Sequence, residues 1–357
     1  MGLRCGLIGL PSCGKTVIFN AITAARAPLY GSTEMNRVIV NLPDERMTRL
    51  VEMYHPRKVV PATLEVLDLT GIRPEDNGRR SRIVGAIKDL EALLHVVRCF
   101  EDDSVPFEHS TIDPIRDVET VDLELMATDV VTLENKLTRL AKKVRAGDKD
   151  AVRESGHCEK VRTAIQNGIP ARRLSLSLQE LASVYECNLA SLKPVVYIAN
   201  IKTIADRENK HVKVLTKLAT DEGTEIITVC GKDEADISEL EPADRPVFLQ
   251  ELGIEESVME RLLHAAYRKL GLISFFTTGE DEVRSWTCRQ GDKAPVAAGK
   301  IHSDMENGFI RMEVVCYTDL IEFGSEAAVA KAGKQRLEGR EYEVQDGDIV
   351  SVLFNAK

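Results

Sequence analysis

The chain has 357 residues, 43% apolar and 29% charged, with 57 acidic against 47 basic side chains and a net charge of −10. The apolar content excludes disorder, the length calls for two or three packed units, and the acidic balance excludes wholesale coating of nucleic acid. An RNA partner must therefore be met by a local basic patch, and no DNA specificity is expected.

No run of about 18 uncharged apolar residues and no leader pattern is readable, so neither a membrane span nor a signal peptide is expected, and the chain reads as cytoplasmic. Eight cysteines with no C-x-x-C pair support neither a zinc site nor a disulfide framework, and the thiols are expected to be reduced.

In chain order, Leu3 to Ile8 reads as a strand, Gly9 to Gly14 as a turn and Lys15 onward as a helix. Further strands are expected at 63–68, 93–100, 194–200 and 225–230, nearly all apolar in the manner of buried parallel strands, each followed by helix-compatible sequence. The gap between 93–100 and 194–200 holds apolar residues at Leu123, Met126, Val130, Leu133, Leu137, Leu140 and Val144, stepping by three and four. That spacing predicts a coiled-coil seam, broken near Gly147-Asp148, with an antiparallel return helix supplied by apolar residues from Val161 to Leu181 and interrupted at Gly168-Ile-Pro170. Between positions 136 and 162 stand nine Lys or Arg against four acids, so the arm has a basic tip, either an ordinary solvated face or a contact for RNA. After about residue 275, short alternating segments and turns predict a small α+β module in which Trp286, Lys300, His302 and Arg311 form a candidate contact patch.

Gly9-Leu-Pro-Ser-Cys-Gly-Lys-Thr16 matches G-x-x-x-x-G-K-[ST] between a strand and a helix. Such a turn wraps phosphate with main-chain N–H groups, Lys15 neutralising β/γ oxygens and Thr16 offering its hydroxyl to Mg²⁺. Asp68-Leu-Thr-Gly71 is a D-x-x-G turn placed to reach the metal and sense a γ-phosphate, and Ile72 after it cannot orient an attacking water, so hydrolysis is expected to be slow. Asn200-Ile-Lys-Thr203 stands where a guanine reader carries Asn-Lys-x-Asp; a Thr hydroxyl cannot accept from both guanine N–H donors, so guanine selectivity is not expected, and Asn200 is either a base contact or a turn former. Cys13 at the helix start is either a redox gate on the phosphate turn or an inert buried thiol.

Together with His95 to Asp102, Lys193 to Asn200 and the stretch from Phe275 to Asn355, these motifs resemble the YchF/Obg-like ATPase family of translation-factor-related P-loop GTPases. The resemblance implies an α/β fold: a Ras-like P-loop NTPase domain (1–116 and 191–274), an inserted antiparallel coiled-coil arm (117–190) and a C-terminal α+β β-grasp, or TGS-like, domain (275–357). It implies ATP or GTP as ligand, Mg²⁺, slow hydrolysis, a monomer, and association with ribosomes or RNA through the arm tip and the TGS-like domain. Carried over by position, Lys15, Thr16, Asp68 and Gly71 take the catalytic roles. Gly9, Pro11, Ser12, Cys13, Gly14, Lys15, Thr16, Asn200 and Ile201 bind the nucleotide, and Thr16, Ser32 and Asp68 the metal. Ser12, the first-switch segment 30–36, the arginine-bearing loop after Ile72 and Thr203 depart from the family pattern, which makes this a divergent paralog. The competing reading is a ribosome- or RNA-binding protein whose nucleotide site no longer hydrolyses.

Overall fold

The computed structural model describes residues 3–23, 36–69, 85–107, 109, 111–240, 248 and 258–355. The chain divides into two compact units: Arg4–Val38 with Glu65–Ala265, and Met1–Leu3 with Ile39–Leu64 and Ala266–Lys357.

The first unit is built on a six-stranded sheet in the order β2-β4-β1-β5-β6-β7, formed by β1 (Leu3–Ile8), β2 (Asn36–Asn41), β4 (Thr63–Asp68), β5 (Ala92–Arg98), β6 (Val195–Ile201) and β7 (Ile226–Cys230). β1, β5, β6 and β7 pair in parallel. Every residue of β5 and β6 is buried, which is why these strands read as continuous apolar runs: helices cover both faces. The helix α1 (Lys15–Thr23) follows β1 directly across the glycine turn.

The arm begins inside one long helix. In α3 (Pro114–Arg145) the Asp113 carboxylate caps the first turn and Pro114 occupies a position that needs no N–H. Val118, Val121 and Leu125 pack on the sheet core, whereas Met126 and Leu133, with Val130 and Leu137 against them, face the return helix α4 (Lys149–Gln166). The spacing of three and four is therefore met from Met126 onward, but Leu123 lies on the open side and is exposed, because the stripe turns from the sheet to α4 within the same helix. Gly147 in the left-handed region and the Asp148 cap make the tip. The return helix occupies 149–166 rather than 161–181; beyond Gly168, also left-handed, come a short 3-10 turn (Ala171–Arg173) and α5 (Leu178–Tyr185).

A buried ionic cluster fixes the arm's root. Arg172 donates to Asp122 of α3 at 2.7 Å and to the Tyr197 hydroxyl of β6 at 3.3 Å. Arg173 donates at 2.7 Å to Glu222, the residue capping α6 (Lys210–Asp221). A second tie holds the same helix to the segment before β6, where Asp129 accepts the N–H groups of Ala190 and Ser191 at 2.8 and 2.7 Å.

The second unit carries the sheet β11-β10-β12-β8-β9-β3, formed by β3 (Lys58–Val60), β8 (Leu272–Thr277), β9 (Glu282–Arg289), β10 (Phe309–Cys316), β11 (Arg336–Glu338) and β12 (Asp348–Phe354). In the first unit the helix α7 (Gly231–Glu239) follows β7, and α8 (Val258–Lys269) precedes β8 in the chain. One face of the second sheet buries Phe275, Met312 and Val314 against α9 (Ala294–Ile301). The opposite face buries Phe276, Val283 and Ile349 against Met47 and Leu50 of α2 (Glu45–Tyr54). A sheet apolar on both faces needs two covering layers, and on this face α2 shares the cover with Leu320 and Val329, from the helices Tyr317–Phe323 and Glu326–Lys331. Accordingly residues 39–64, expected in the nucleotide domain, fold with 266–357.

The register also separates the candidate contact patch. Arg311 pairs with Leu353, and Ile349 on the same face pairs with Phe276, which pairs with Ser285. Trp286 therefore lies on the opposite face from Arg311, and the two do not share a patch.

Candidate nucleotide-binding site

The turn between β1 and α1 is held by backbone demands that only its sequence meets. Gly9 has φ 145°, and a Cβ there would stand 2.3 Å from the Val96 carbonyl oxygen of β5. Gly14 has φ 98°, and a Cβ would stand 2.1 Å from the Asn200 amide nitrogen. Ser12 is left-handed at φ 60°, an uncommon conformation for a side-chain-bearing residue that marks the bend of the loop. Pro11 is half-buried at the turn.

Lys15 is buried at 6% exposure, its ammonium donating to the Gly9 and Leu10 carbonyls at 2.9 and 2.7 Å and lying 3.8 Å from the Cys13 sulfur. The side chain thus lies inside its own loop. Burial pushes the Cys13 thiol up despite the Lys15 charge beside it, so it is held as a neutral thiol, and the redox gate loses its chemical basis.

Thr16 donates its hydroxyl to Asp68 Oδ2 at 3.1 Å, bringing the end of β4 to the start of α1. The other carboxylate oxygen, Asp68 Oδ1, is buried with no hydrogen-bond partner among the described residues. A hydroxyl beside a carboxylate with one free, desolvated oxygen fits a hard divalent cation such as Mg²⁺, which takes few protein oxygens and completes its shell with phosphate and water. No cluster of three or more His, Cys, Asp or Glu that could hold a metal occurs among the described residues. Ser32 and Gly71, the remaining metal and switch residues, lie outside the described residues, as do Ile72 and the arginines after it.

Asn200, expected as either a base contact or a turn former, bonds to backbone at both ends of its amide. Its amide donates to the Cys13 carbonyl at 2.9 Å, and its oxygen accepts from the Gly231 N–H at 3.2 Å. Both ends of a buried side chain are spent bracing the phosphate turn against the first residue of α7, directly after β7. Ile201 is 3% exposed and packs in the sheet core, so its side chain offers nothing to a base. The Thr203 N–H and hydroxyl both go to Asp206 Oδ2, at 3.1 and 2.8 Å, so neither guanine donor would find a carboxylate held free at this position.

Sequence reasoning missed Gly231 and the Val96 carbonyl. Gly231 had a signal: it follows a parallel strand at the carboxyl edge of the sheet, where ligand loops gather. Val96 had none, since its role is a backbone approach. His95, beside it on β5, is a fully buried ring stacked obliquely on Tyr197 at 5.7 Å; burial, then the Arg172 and Lys15 charges, drive it down to about 3, so it is neutral and no base at ordinary pH.

A glycine turn holding a lysine, followed by a helix and faced by a strand-terminal aspartate in a parallel sheet, defines a P-loop nucleoside-triphosphate fold. A family model, YchF-GTPase_C, described as a protein of unknown function (DUF933), matches residues 272–355. Across 99% of its length the chain is 41% identical to the whole of a Bacillus subtilis protein and 39% identical to the whole of an Escherichia coli O157:H7 protein, both named ribosome-binding ATPase YchF. The solved structure of the Schizosaccharomyces pombe YchF GTPase superposes with a TM-score of 0.84 at 31% identity, covering 99% of this chain and 98% of that one. The chain belongs to the YchF family.

Proposed function

We propose that this protein is a magnesium-dependent nucleoside-triphosphate-binding switch of the cytoplasm, associated with ribosomes, that hydrolyses its ligand slowly. The observation that carries this reading is the meeting of Thr16 and Asp68 beside the Lys15 loop, with one Asp68 oxygen buried and unpartnered among the described residues. When bound, Mg²⁺ would be held by the Thr16 hydroxyl and the Asp68 carboxylate and would supply charge neutralisation at the phosphates. Lys15 would exchange the Gly9 and Leu10 carbonyls for phosphate oxygens, while Asn200 keeps the loop open by holding Cys13.

With Thr203 turned to Asp206, adenine is accepted at least as well as guanine. Hydrolysis is slow because the position after Gly71 is Ile72, which cannot orient water.

Ribosome association is supported by the names of the relatives and by the arm tip. Lys136, Arg153, Lys160 and Arg162 are spent on Glu154, Asp150, Glu180 and the Glu134–Glu159 pair. Arg139, Lys142, Lys143, Arg145 and Lys149 are exposed, and no ion pair engages them among the described residues. Five unpaired cations at the end of a helical pair suit a phosphodiester backbone.

Calorimetry with Mg²⁺ and ATP, GTP or a non-hydrolysable ATP analogue, alongside phosphate release, tests the reading. Binding and slow turnover are expected, both lost in Lys15→Ala. Binding without turnover would make this a ligand-gated ribosome- or RNA-binding protein, and absence of binding would refute the nucleotide reading.

A further inference from the structure

Within the first unit, the strand β6 is tied on both of its faces. Successive side chains of a strand point to opposite sides, so Tyr197 and Asn200, three residues and about 10 Å apart, look in opposite directions. Asn200 braces the phosphate turn from one side, through the Cys13 carbonyl and the Gly231 N–H. The neighbouring strand adds a second support. Its Val96 carbonyl oxygen abuts Gly9 of the turn, and Val96 pairs with Ile198 of β6.

On the other side Tyr197 belongs to the arm root. Its hydroxyl lies 3.0 and 3.1 Å from the two Glu222 carboxylate oxygens and accepts from Arg172 at 3.3 Å. Arg172, in the turn that ends the arm's return, also donates to Asp122 of α3. Two turns further along α3, Asp129 accepts the N–H groups of Ala190 and Ser191, and the Ser191 hydroxyl accepts the Ala171 N–H at 3.2 Å. Only residues 192–194 separate Ser191 from β6. Both legs of the arm are thus tied to each other and to one fully buried strand. From Asp129 to the end of α3 at Arg145 the helix runs about 24 Å, so a load at the tip acts on this root through a long lever.

We propose that β6 couples the arm to the nucleotide site, with Tyr197 a positioning residue that acts through Asn200: filling the phosphate turn changes the arm root, and a load on the arm changes nucleotide affinity. The proposal rests on the nucleotide reading above. A movement of the turn that carries Cys13 either breaks a desolvated hydrogen bond to Asn200 or takes β6 with it. β6 in turn is packed on both faces, and a close-packed interior passes such a shift on rather than absorbing it, here to the Tyr197–Arg172 and Ser191–Asp129 bonds. Reciprocity follows from linkage: whatever factor nucleotide imposes on the arm, the arm imposes on nucleotide.

The N–H groups of Ala171, Ala190 and Ser191 report on the receiving side, because each is held by a side chain of the root. Full-length protein is titrated with Mg²⁺ and a non-hydrolysable ATP analogue by calorimetry, and amide hydrogen exchange is measured without and with saturating analogue. Exchange at these three amides is expected to change by about fivefold or more. Tyr197→Phe keeps the ring and removes only the hydroxyl, and Asp129→Asn keeps the shape and removes the charge that holds two N–H groups. Each is expected to change the analogue's Kd by about fivefold or more, although neither residue is in the nucleotide loop. A saturating isotherm with unaltered exchange at all three amides, or with unchanged Kd in both variants, overturns the coupling and leaves nucleotide binding standing. No heat from the wild-type protein overturns both.

Discussion

Asn200→Ala separates a bracing residue from a base reader. The side chain is 5% exposed and makes two hydrogen bonds to backbone, one to the Cys13 carbonyl at 2.9 Å and one from the Gly231 N–H at 3.2 Å. Truncation leaves both backbone groups without this partner in a desolvated place, at about 1–3 kcal/mol each. We expect a loss of about 2–4 kcal/mol in the nucleotide unit, which at roughly 2–4 °C per kcal/mol lowers its midpoint by about 4–16 °C, without any nucleotide present. Asn200→Asp adds a signature. It keeps an acceptor for Gly231 but sets a carboxylate oxygen against the Cys13 carbonyl, so the ionised form is disfavoured and the folded pKa is raised. The penalty is therefore full above that pKa and is relieved as pH falls and the protonated carboxyl donates to Cys13. Urea titrations of the apo protein at pH 7.5 and 5.5 measure it. An Ala variant within about 0.5 kcal/mol of wild type, the level of an ordinary surface substitution, would refute the bracing role. An Asp variant no better off at pH 5.5 would refute the geometry at Cys13.

At the arm root, Arg172→Met removes one of the two guanidinium groups that neutralise Asp122 and Glu222, Arg173 remaining beside both, and is expected to cost about 1–3 kcal/mol by urea denaturation; Arg172→Lys should rescue little, since one ammonium cannot span Asp122, Tyr197 and Glu222. His95 is held neutral down to about 3 in the fold, whereas the unfolded chain protonates near 6.5, so between these values stability should fall with pH by up to about 1.4 kcal/mol per unit. His95→Leu should flatten that acid limb, and an unchanged limb would remove His95 as its source. At the arm tip, Lys142→Ala with Lys143→Ala should reduce the log–log salt dependence of ribosome co-sedimentation by about two. A slope equal to wild type would place the ribosome contact elsewhere.

The site was legible where its chemistry is local. The glycines at 9 and 14, Lys15 and Thr16 lie within one turn, and Asp68 could be placed opposite them because a strand-terminal acid after a P-loop has few other positions to take. The apolar strands and the tip at Gly147 were legible for the same reason, since burial on both faces and a left-handed glycine leave direct marks in sequence. Asn200 stayed open between two roles because a side chain at the end of a parallel strand can turn toward ligand or toward backbone, and its bonds to Cys13 and Gly231 appear only in the fold. Leu123 was misread because one helix serves two partners, and an unbroken periodicity does not mark where the partner changes.

Sequence alone determined the phosphate turn, the places of the buried parallel strands along the chain and the presence of a basic helical arm, because each follows from backbone conformation or apolar pattern within a few residues. Tertiary structure alone decided that residues 39–64 belong with the C-terminal sheet, that Trp286 and Arg311 lie on opposite faces, and that Arg172 meets Asp122 and Glu222. Those are pairings between residues distant in the chain. An amphipathic helix or a short strand carries the same pattern whichever apolar face it covers, and only the contacts made in the fold decide between them.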